Sequence, residues 1–368
     1  MSGTLKLRVV QAEYGDCLLV DLGAPTDLKH ILIDGGPDTI YDRHLRGELL
    51  GVRDSGGKVD LAVLSHVDND HITGLLDLLA EIRTQRANGD PETVGLSAFW
   101  FNSFSQTIEV DNEVEARVKA LIGMGNAGRT MATAGMAVQG IGEGNQLRLG
   151  AGALGLPVNP GFPRDLVSLE TAPEAIVLGG AKLRIVGPTQ RNLEELRREW
   201  LEWLDGHEEA IRSGDPFLAA MADRSVPNLS SIMILVEADG RRILLTGDGR
   251  GDHLLQGLDK AGLLAPNGGL HVDVLKLPHH GSDRNVTRKF FQTVTADTYV
   301  ASANGKDGNP DLATLIWIAE AAKQRGRAVR ILVTNETPST KQFRREYDLV
   351  EYGCDLIVMD ATAHALVV

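Results

Sequence analysis

The sequence predicts an α/β fold of layered sheet and helix, and three observations predict it. Short, wholly apolar runs such as Leu61-Ala62-Val63-Leu64 suit strands covered on both faces. Such runs alternate with stretches of helical spacing, as where Leu75, Leu78, Leu79 and Ile82 follow that run. The chain of 368 residues is 43% hydrophobic and 24% charged, with a mean hydropathy of −0.09. It is long enough to bury a large core and too ordinary in composition for a disordered, collagenous or coiled-coil protein.

In chain order, residues 5–10 and 17–22 read as strands about the turn Tyr14-Gly15-Asp16, and 30–33 as a third strand ending at the breaker Asp34-Gly35-Gly36-Pro37. The 61–64 strand leads into a helix over 74–82. Residues 98–101 read as a strand and 110–122 as a helix, and the glycine-rich stretch 123–161 is expected to interrupt regular structure. Strands 176–178 and 182–186 flank Gly179-Gly180, a two-residue hairpin signal. Asn192 and Glu195 have capping-box spacing, and Leu193, Leu196, Trp200, Trp203 and Leu204 then form one apolar stripe. Strands 232–237 and 242–245 flank Ala238-Asp239-Gly240. Strands 272–277, 298–301, 329–333 and 356–358 follow, with a helix over 312–324 between Asp311 and Gly326.

The net charge of −13 and the pI near 5.3 are not those of a protein that grips long duplex DNA by charge alone. Cys17 and Cys354 offer no disulfide framework and no zinc-finger spacing, and read as small buried hydrophobes. No apolar run approaches the ~20 residues of a membrane span, and residues 1–6 hold no signal-type stretch. A soluble cytoplasmic protein without a membrane partner is expected. Lys323, Arg325, Arg327, Arg330, Lys341, Arg344 and Arg345 read as a solvated surface; gathered beside a site they would favour a nucleic-acid strand.

Three places carry chemistry. His66-Val67-Asp68-Asn69-Asp70-His71 lies where a strand ends and a helix begins, a favoured place for ligands in α/β folds. Buried carboxylates without partners are costly, and a metal ion removes that cost for the whole cluster. Pro278-His279-His280-Gly281-Ser282 also follows an apolar strand. Adjacent histidines point in different directions, so one is a ligand and its neighbour reaches substrate or a second metal; which is which stays open. Asp248, between Gly247 and Gly249 past a strand, is the third, a candidate bridging carboxylate. Lys276 either pairs with a buried acid or faces a phosphate.

Together these residues resemble the metallo-β-lactamase superfamily over nearly the whole chain. Asp34-Gly35-Gly36 looks like its first motif. His66, Asp68, Asp70 and His71 fall on His-x-His-x-Asp-His, with Asp68 in place of the second histidine. Asp248 falls on the bridging aspartate, and His279 or His280 on the last histidine. Tyr14-Gly15-Asp16-Cys17, Asn228-Leu229-Ser230-Ser231 and the His-His-Gly-Ser run look like the branch containing the metallohydrolase domain of the competence protein ComEC, without its membrane channel. The family's middle histidine has no clear counterpart. His207 shares the Trp200 stripe and reads as packing or surface, and Asn228 or Ser230 stands where a replacement ligand is expected.

The resemblance implies one αββα sandwich over residues 1–368: two packed mixed β-sheets with helices outside. An insertion or elaboration is expected within 89–227, its Trp200 and Trp203 helix shaping the mouth of the site. It implies two divalent metal ions, Mn or Zn, since an oxygen-rich set without thiolates shifts preference toward harder ions. His66 and Asp68 would serve one ion, Asp70, His71 and a histidine of the 279–280 pair the other, with Asp248 bridging. Asp70, Asp248 and His280 are the expected catalytic residues, and Ser282, Asn304 and Asn309 the expected substrate contacts. The implied activity is a phosphodiesterase or nuclease using a metal-bound hydroxide, with nucleic acid or a nucleotide as substrate. The alternatives are a hydrolase of a lactone, thioester or other acyl substrate, and a catalytically degenerate binding protein with a weak metal site.

Overall fold

The computed structural model describes residues 4–103, 107, 134–213, 227–359 and 365–367. Strands β1 (Thr4–Val9), β2 (Leu18–Ala24), β3 (Asp27–Ile33), β4 (Val59–Val63), β5 (Phe99–Trp100) and β14 (Ala365–Val367) form one sheet in the order β14-β1-β2-β3-β4-β5. Its β14-β1-β2-β3 part is antiparallel and its β3-β4-β5 part parallel. The second sheet runs from β13 (Cys354–Val358) through β12 (Val329–Val333), β11 (Val294–Ala301), β10 (Leu270–Lys276), β9 (Arg241–Leu245), β8 (Met233–Ala238) and β7 (Ala181–Gly187) to β6 (Ile176–Leu178). Strands β9 to β13 are parallel and β6 to β9 antiparallel.

Alternation along the strands sorts side chains into three cores. Leu5, Leu7, Val9, Val20 and Leu22 meet Ile185, Ile234, Val236, Ile243 and Leu245 between the sheets. The outer face of the first sheet, with Leu19, Leu32, Ala62 and Leu64, packs on Leu49 of α1 (Arg46–Asp54) and on Ile72, Leu75 and Leu79 of α2 (Asn69–Asn88). The outer face of the second sheet, with Leu235, Leu275, Tyr299 and Ile331, packs on Leu254 of α5 (Gly251–Lys260), Phe290 and Phe291 of α6 (Arg288–Thr293), Ile318 of α7 (Leu312–Arg325) and Phe343 of α8 (Pro338–Glu346). The layers are therefore helix, sheet, sheet, helix. Leu61 and Val63 enter the inter-sheet core while Ala62 and Leu64 enter the helix-side core, which is why that run has no polar alternation. Cys17 and Cys354 are buried free thiols.

Three expectations are corrected. Helix α2 begins at Asn69, not 74: Asp68 is its extended N-cap, so Asp70 and His71 occupy the first turn, and these polar residues hid the start of the apolar period. The glycine-rich stretch contains a helix, α3 (Ala134–Ala153). A Cβ on Gly150 would lie 3.1 Å from Leu79 Cδ1, and Leu147 and Ala151 are buried in the same core. Small residues allow that close approach to α2, and packing overrides the ~1 kcal/mol that each glycine costs a helix. Helix α4 (Gln190–Ser213) is capped by Thr189 and Asn192, not by Asn192 and Glu195. Thr189 N donates to Asn192 Oδ1 at 2.9 Å and Asn192 N to Thr189 Oγ1 at 3.2 Å, while Glu195 reaches His253 at 3.5 Å. The expected helix over 110–122 lies outside the described residues, as do the side chains of Trp200, Trp203, Leu204 and His207.

The basic residues near the C-terminal end are surface groups, paired with acids in most cases: Lys323 with Glu351, Arg327 with Asp297, Lys341 and Arg344 with Glu336, and Arg345 with Glu346. Arg325 donates to the Gln292 carbonyl, and Arg330 is exposed on β12.

The first turn of α2 docks on the loop after β3 through glycine. Gly35 N donates to His71 O at 2.7 Å, and a Cβ on Gly74 would sit 2.0 Å from Gly35 O. Gly51, exposed in α1, has nothing within 4 Å of such a Cβ. Gly74→Ala is therefore expected to lower stability by about 2 kcal/mol or more through overpacking. Gly51→Ala is expected to raise it by about 0.5–1 kcal/mol. Urea unfolding of the two variants checks the opposite signs.

On the first sheet, Asp21 accepts from Arg8 at 2.8 Å and from His30 Nδ1 at 2.7 Å. Burial alone would raise its pKa, but the His30 and Arg8 hydrogen bonds hold it below the ordinary 3.8. A depressed folded-state value stabilises above the unfolded pKa, and the gain fades as pH falls through the folded one. Asp21→Asn should thus cost about 1–3 kcal/mol near neutrality. The difference from the unsubstituted protein should shrink below pH 4 or so, as thermal unfolding across acidic pH would show.

Candidate metal centre

The loops after β3, β4, β9 and β10 meet at one edge of the sandwich, at the C-terminal ends of parallel strands. Asp34, closing β3 with φ +58° and fully buried, organises the first of them. It accepts from Ser65 N and Ser65 Oγ, each at 2.7 Å, and from His71 Nδ1 at 2.8 Å. His71 then turns Nε2 inward, 3.5 Å from Asp248 Oδ1 and 3.7 Å from Asp70 Oδ2. Because Ser65 Oγ donates to Asp34, it accepts from His66 Nδ1 at 3.1 Å. His66 Nε2 is left facing Asp68 at 3.3 Å and Asp248 at 3.8 Å. Both rings thus present an unprotonated Nε2 to the same space once that space holds a cation.

The second histidine pair has an unusual backbone. His279 (φ +46°), His280 (φ +55°) and Gly281 (φ +89°) are successive left-handed residues. This turns both neighbouring imidazoles onto one carboxylate. His279 Nε2 lies 3.6 Å and His280 Nε2 3.4 Å from Asp248 Oδ2, their rings at 84° to each other. His280 Nε2 is also 3.4 Å from Asp70 Oδ2. Asp248 therefore sits between all four histidines.

Two further residues enter that the sequence pattern had not assigned to the centre. Asp34 anchors His71 and Ser65 from behind. Asp16, buried in the turn between β1 and β2, faces His280 Nδ1 at 3.5 Å and pairs with Lys276. Their signal was the pair of short motifs Tyr14-Gly15-Asp16-Cys17 and Asp34-Gly35-Gly36, in which each aspartate reads as a turn residue.

Burial would raise the Asp248 pKa, yet His280, His279 and His71 hold it well below the carboxylate range. Asp70 is lowered the same way by His71 and His280. Burial would lower His71 and His280, yet Asp248 and its neighbouring carboxylates hold both well above the ordinary imidazole value.

The donor atoms fit a divalent ion. His66 Nε2, His71 Nε2, both ring nitrogens of His280, Asp16 Oδ1 and Asp248 Oδ1 are buried without a hydrogen-bond partner. Each orphan costs about 1–3 kcal/mol, and a cation shared among them removes that cost. Among the described residues, His66-His71-Asp248, Asp70-His71-His280, Asp16-Asp248-His280 and Asp16-Asp34-His71 each bring ligand atoms within 4.8 Å of one another. Asp68 belongs to none of these sets but pairs with His66 at the rim.

The remaining expected residues lie around this core. The turn Pro227–Ser230 leads to Ile232, whose N donates to Ser65 O at 2.9 Å, so the segment lies against the β4 end. Ser230 is buried there; the Asn228 side chain lies outside the described residues. Ser282 is buried, its N donating to His279 O, and Asn309 is buried beside Pro310, which packs on Gly281. Asn304 donates to Glu13 in the segment between β1 and β2 and accepts from Lys306 N in its own loop.

Residues 10–147 match the family model of the metallo-beta-lactamase superfamily. The matched stretch is similar to that superfamily over less than half of the chain. The match takes in Asp16, Asp34, His66, Asp68, Asp70 and His71; Asp248, His279 and His280 lie beyond it and join them through the second sheet. The helix–sheet–sheet–helix layering is the αββα sandwich of that superfamily. Among solved structures, the chain is similar to the metallo-beta-lactamase fold protein YhfI from Bacillus subtilis, at 10% identity and a TM-score of 0.41, over 99% of each chain. No curated protein matches the chain. Among the described residues, no helix is long and apolar enough to cross a membrane.

Asp34→Asn would put an amide donor against the groups that now donate to this carboxylate. It is expected to weaken divalent-ion binding by about 10- to 100-fold, the usual cost of losing the partner behind a metal-ligating histidine. Titration calorimetry with Zn²⁺ and Mn²⁺ checks this.

Proposed function

We propose that the domain is a metal-dependent phosphodiesterase with a binuclear Mn or Zn centre, acting on a nucleotide or a nucleic-acid strand. The superfamily match suggests a metal-dependent hydrolase. The observation that favours a phosphodiester is the carboxylate-rich donor set: Asp68, Asp70 and Asp248 converge with His66, His71, His279 and His280, and no thiolate takes part. Asp68 stands where the superfamily pattern has a histidine, and the Asp16 turn belongs to the pattern of the ComEC-like branch.

In this reading His66, Asp68 and His279 would hold one ion and Asp70, His71 and His280 the other, with Asp248 standing among all four histidines. Divalent ions held there supply Lewis acidity toward a phosphoryl oxygen and activate water near neutral pH. The chain's own part is to fix and to exclude. His66, His71 and Asp248 are buried, at 0%, 0% and 4% side-chain exposure. Asp68 and Asp70 reach 33% and 24%, and His279 28%, so the centre opens on that side. Substrate arrives over those three side chains, with Ser282 and Asn309 in the adjoining loops. Strands β5, β6 and β7 come from residues 89–227, and the α4 helix contacts the turn Pro227–Ser230.

The test is hydrolysis of bis(p-nitrophenyl) phosphate by metal-stripped protein reconstituted with Mn²⁺ or Zn²⁺, beside Asp70→Ala and Asp248→Asn. Turnover that needs metal and disappears in both variants is expected. Stoichiometric metal without turnover would move the assignment to a lactone, thioester or other acyl substrate. A protein that neither retains metal nor turns over substrate would overturn the enzyme reading.

A further inference from the structure

Lys276 ends β10, and its side chain is fully buried behind the metal centre. Its Nζ pairs with Asp16, donates to Gly247 O at 3.0 Å and stands 3.7 Å from Asp248 Oδ1. Asp16 Oδ1 in turn faces His280 Nδ1 at 3.5 Å, and His280 Nε2 looks into the centre at Asp70 and Asp248. A continuous line runs from Lys276 through Asp16 to His280.

We propose that Asp16 and Lys276 are a positioning pair for His280: Asp16 holds the ring by its Nδ1 so that Nε2 meets the metal, and Lys276 fixes Asp16 while tying it to the Gly247-Asp248 turn. The proposal rests on the metal-centre reading above. The geometry on the other side of the centre is the precedent, since Asp34 holds His71 by Nδ1 in the same sense. Asp34, however, is itself fixed by Ser65 N and Ser65 Oγ. For Asp16 the structure gives Lys276 that task.

Two physical arguments favour a positioning role over mere packing. A buried ion pair contributes little net stability compared with apolar residues of the same volume. Val274, Leu275 and Leu277, its neighbours in the chain, are all apolar and buried, so a methionine would suit the core at this position. The lysine is also held at both ends. Its carbonyl accepts from Thr246 Oγ1 at 2.8 Å, and Nζ is bound to Gly247 O, so the ammonium has a fixed place beside the Asp248 loop. Among the described residues, no other group is seen at His280 Nδ1, which is buried without a hydrogen-bond partner of ordinary length.

The experiment uses the Asp16→Asn/Lys276→Met double variant, which keeps side-chain volume and strands no charge. Zn²⁺ affinity is measured by chelator competition in the full chain, in the double variant, in His280→Ala and in the triple variant. The double variant is expected to melt near the original temperature yet bind Zn²⁺ at least about tenfold more weakly. In the His280→Ala background, removing the pair should cost no further affinity, because the ring it positions is gone. Unchanged affinity in the double variant, or an equal further loss without His280, overturns the proposal. Should the double variant fail to fold, ¹⁵N-histidine spectra of the Zn²⁺-loaded original protein decide: a proton on His280 Nδ1 with metal on Nε2 is expected, and metal on Nδ1 overturns it. An original protein that takes up no Zn²⁺ at all would instead refute the metal-centre reading itself.

Discussion

The carboxylate of Asp34 is the joint on which the site depends. It closes β3 in a left-handed conformation and accepts three hydrogen bonds from two other pieces of chain. Ser65 N and Oγ tie it to the end of β4, and His71 ties it to the first turn of α2. Gly35 and Gly74 permit the backbone contact that brings that turn within reach. Without this joint the β4–α2 corner has no fixed angle to the sheet, and His66, Asp70 and His71 have no common direction. One carboxylate thus joins β3, β4 and α2 into one half of the candidate metal centre.

The other half is supplied by the second sheet, and the sandwich core determines that the halves meet. Leu61 and Val63 of β4 and Ile243 and Leu245 of β9 share the inter-sheet core, so the ends of these strands lie together. The residues just past those ends are Ser65 and His66 on one sheet and Thr246, Gly247 and Asp248 on the other. Side-chain alternation has period two, and a slip of one residue in either strand would turn the apolar set outward. The packing that stabilises the fold therefore also sets the register of the ligands.

The layered fold was legible because each of its signals is redundant. Apolar runs such as 61–64, hairpin turns such as Gly179-Gly180, and the Asp311 and Gly326 limits of α7 each agree with their neighbours. The donors His66, Asp68, Asp70, His71, Asp248, His279 and His280 stood out for a different reason: histidine and aspartate are costly residues to place at the ends of apolar strands. What stayed hidden depended on tertiary contact. Asp16 and Asp34 each look like one more aspartate in a turn until a histidine from a distant element is seen beside them. The start of α2 was obscured by the very ligands it carries. Helix α3 was obscured because its glycines are explained only by Leu79 across the interface. The cap of α4 was displaced by three residues, since Thr189 and Asn192 satisfy each other while Glu195 turns to His253. Periodicity reports which face is buried; it does not report which partner buries it.

The centre divides into a floor and a rim with different freedom. On the floor, His66, His71, His280, Asp248, Asp16 and Lys276 are buried and tied to strand ends or to one another. Their positions cannot change without disturbing the sheets, so the arrangement of these side chains is a property of the fold itself. On the rim, Asp68, Asp70 and His279 are partly exposed and come from a helix start and a left-handed turn. Here a substitution changes charge and shape at little cost to the cores. Asp68 adds a negative charge on this exposed side, which raises the demand for cations in the centre. A buried floor beside a partly exposed rim lets rim residues change without disturbing the cores, a physical reason one layered fold can serve several substrates.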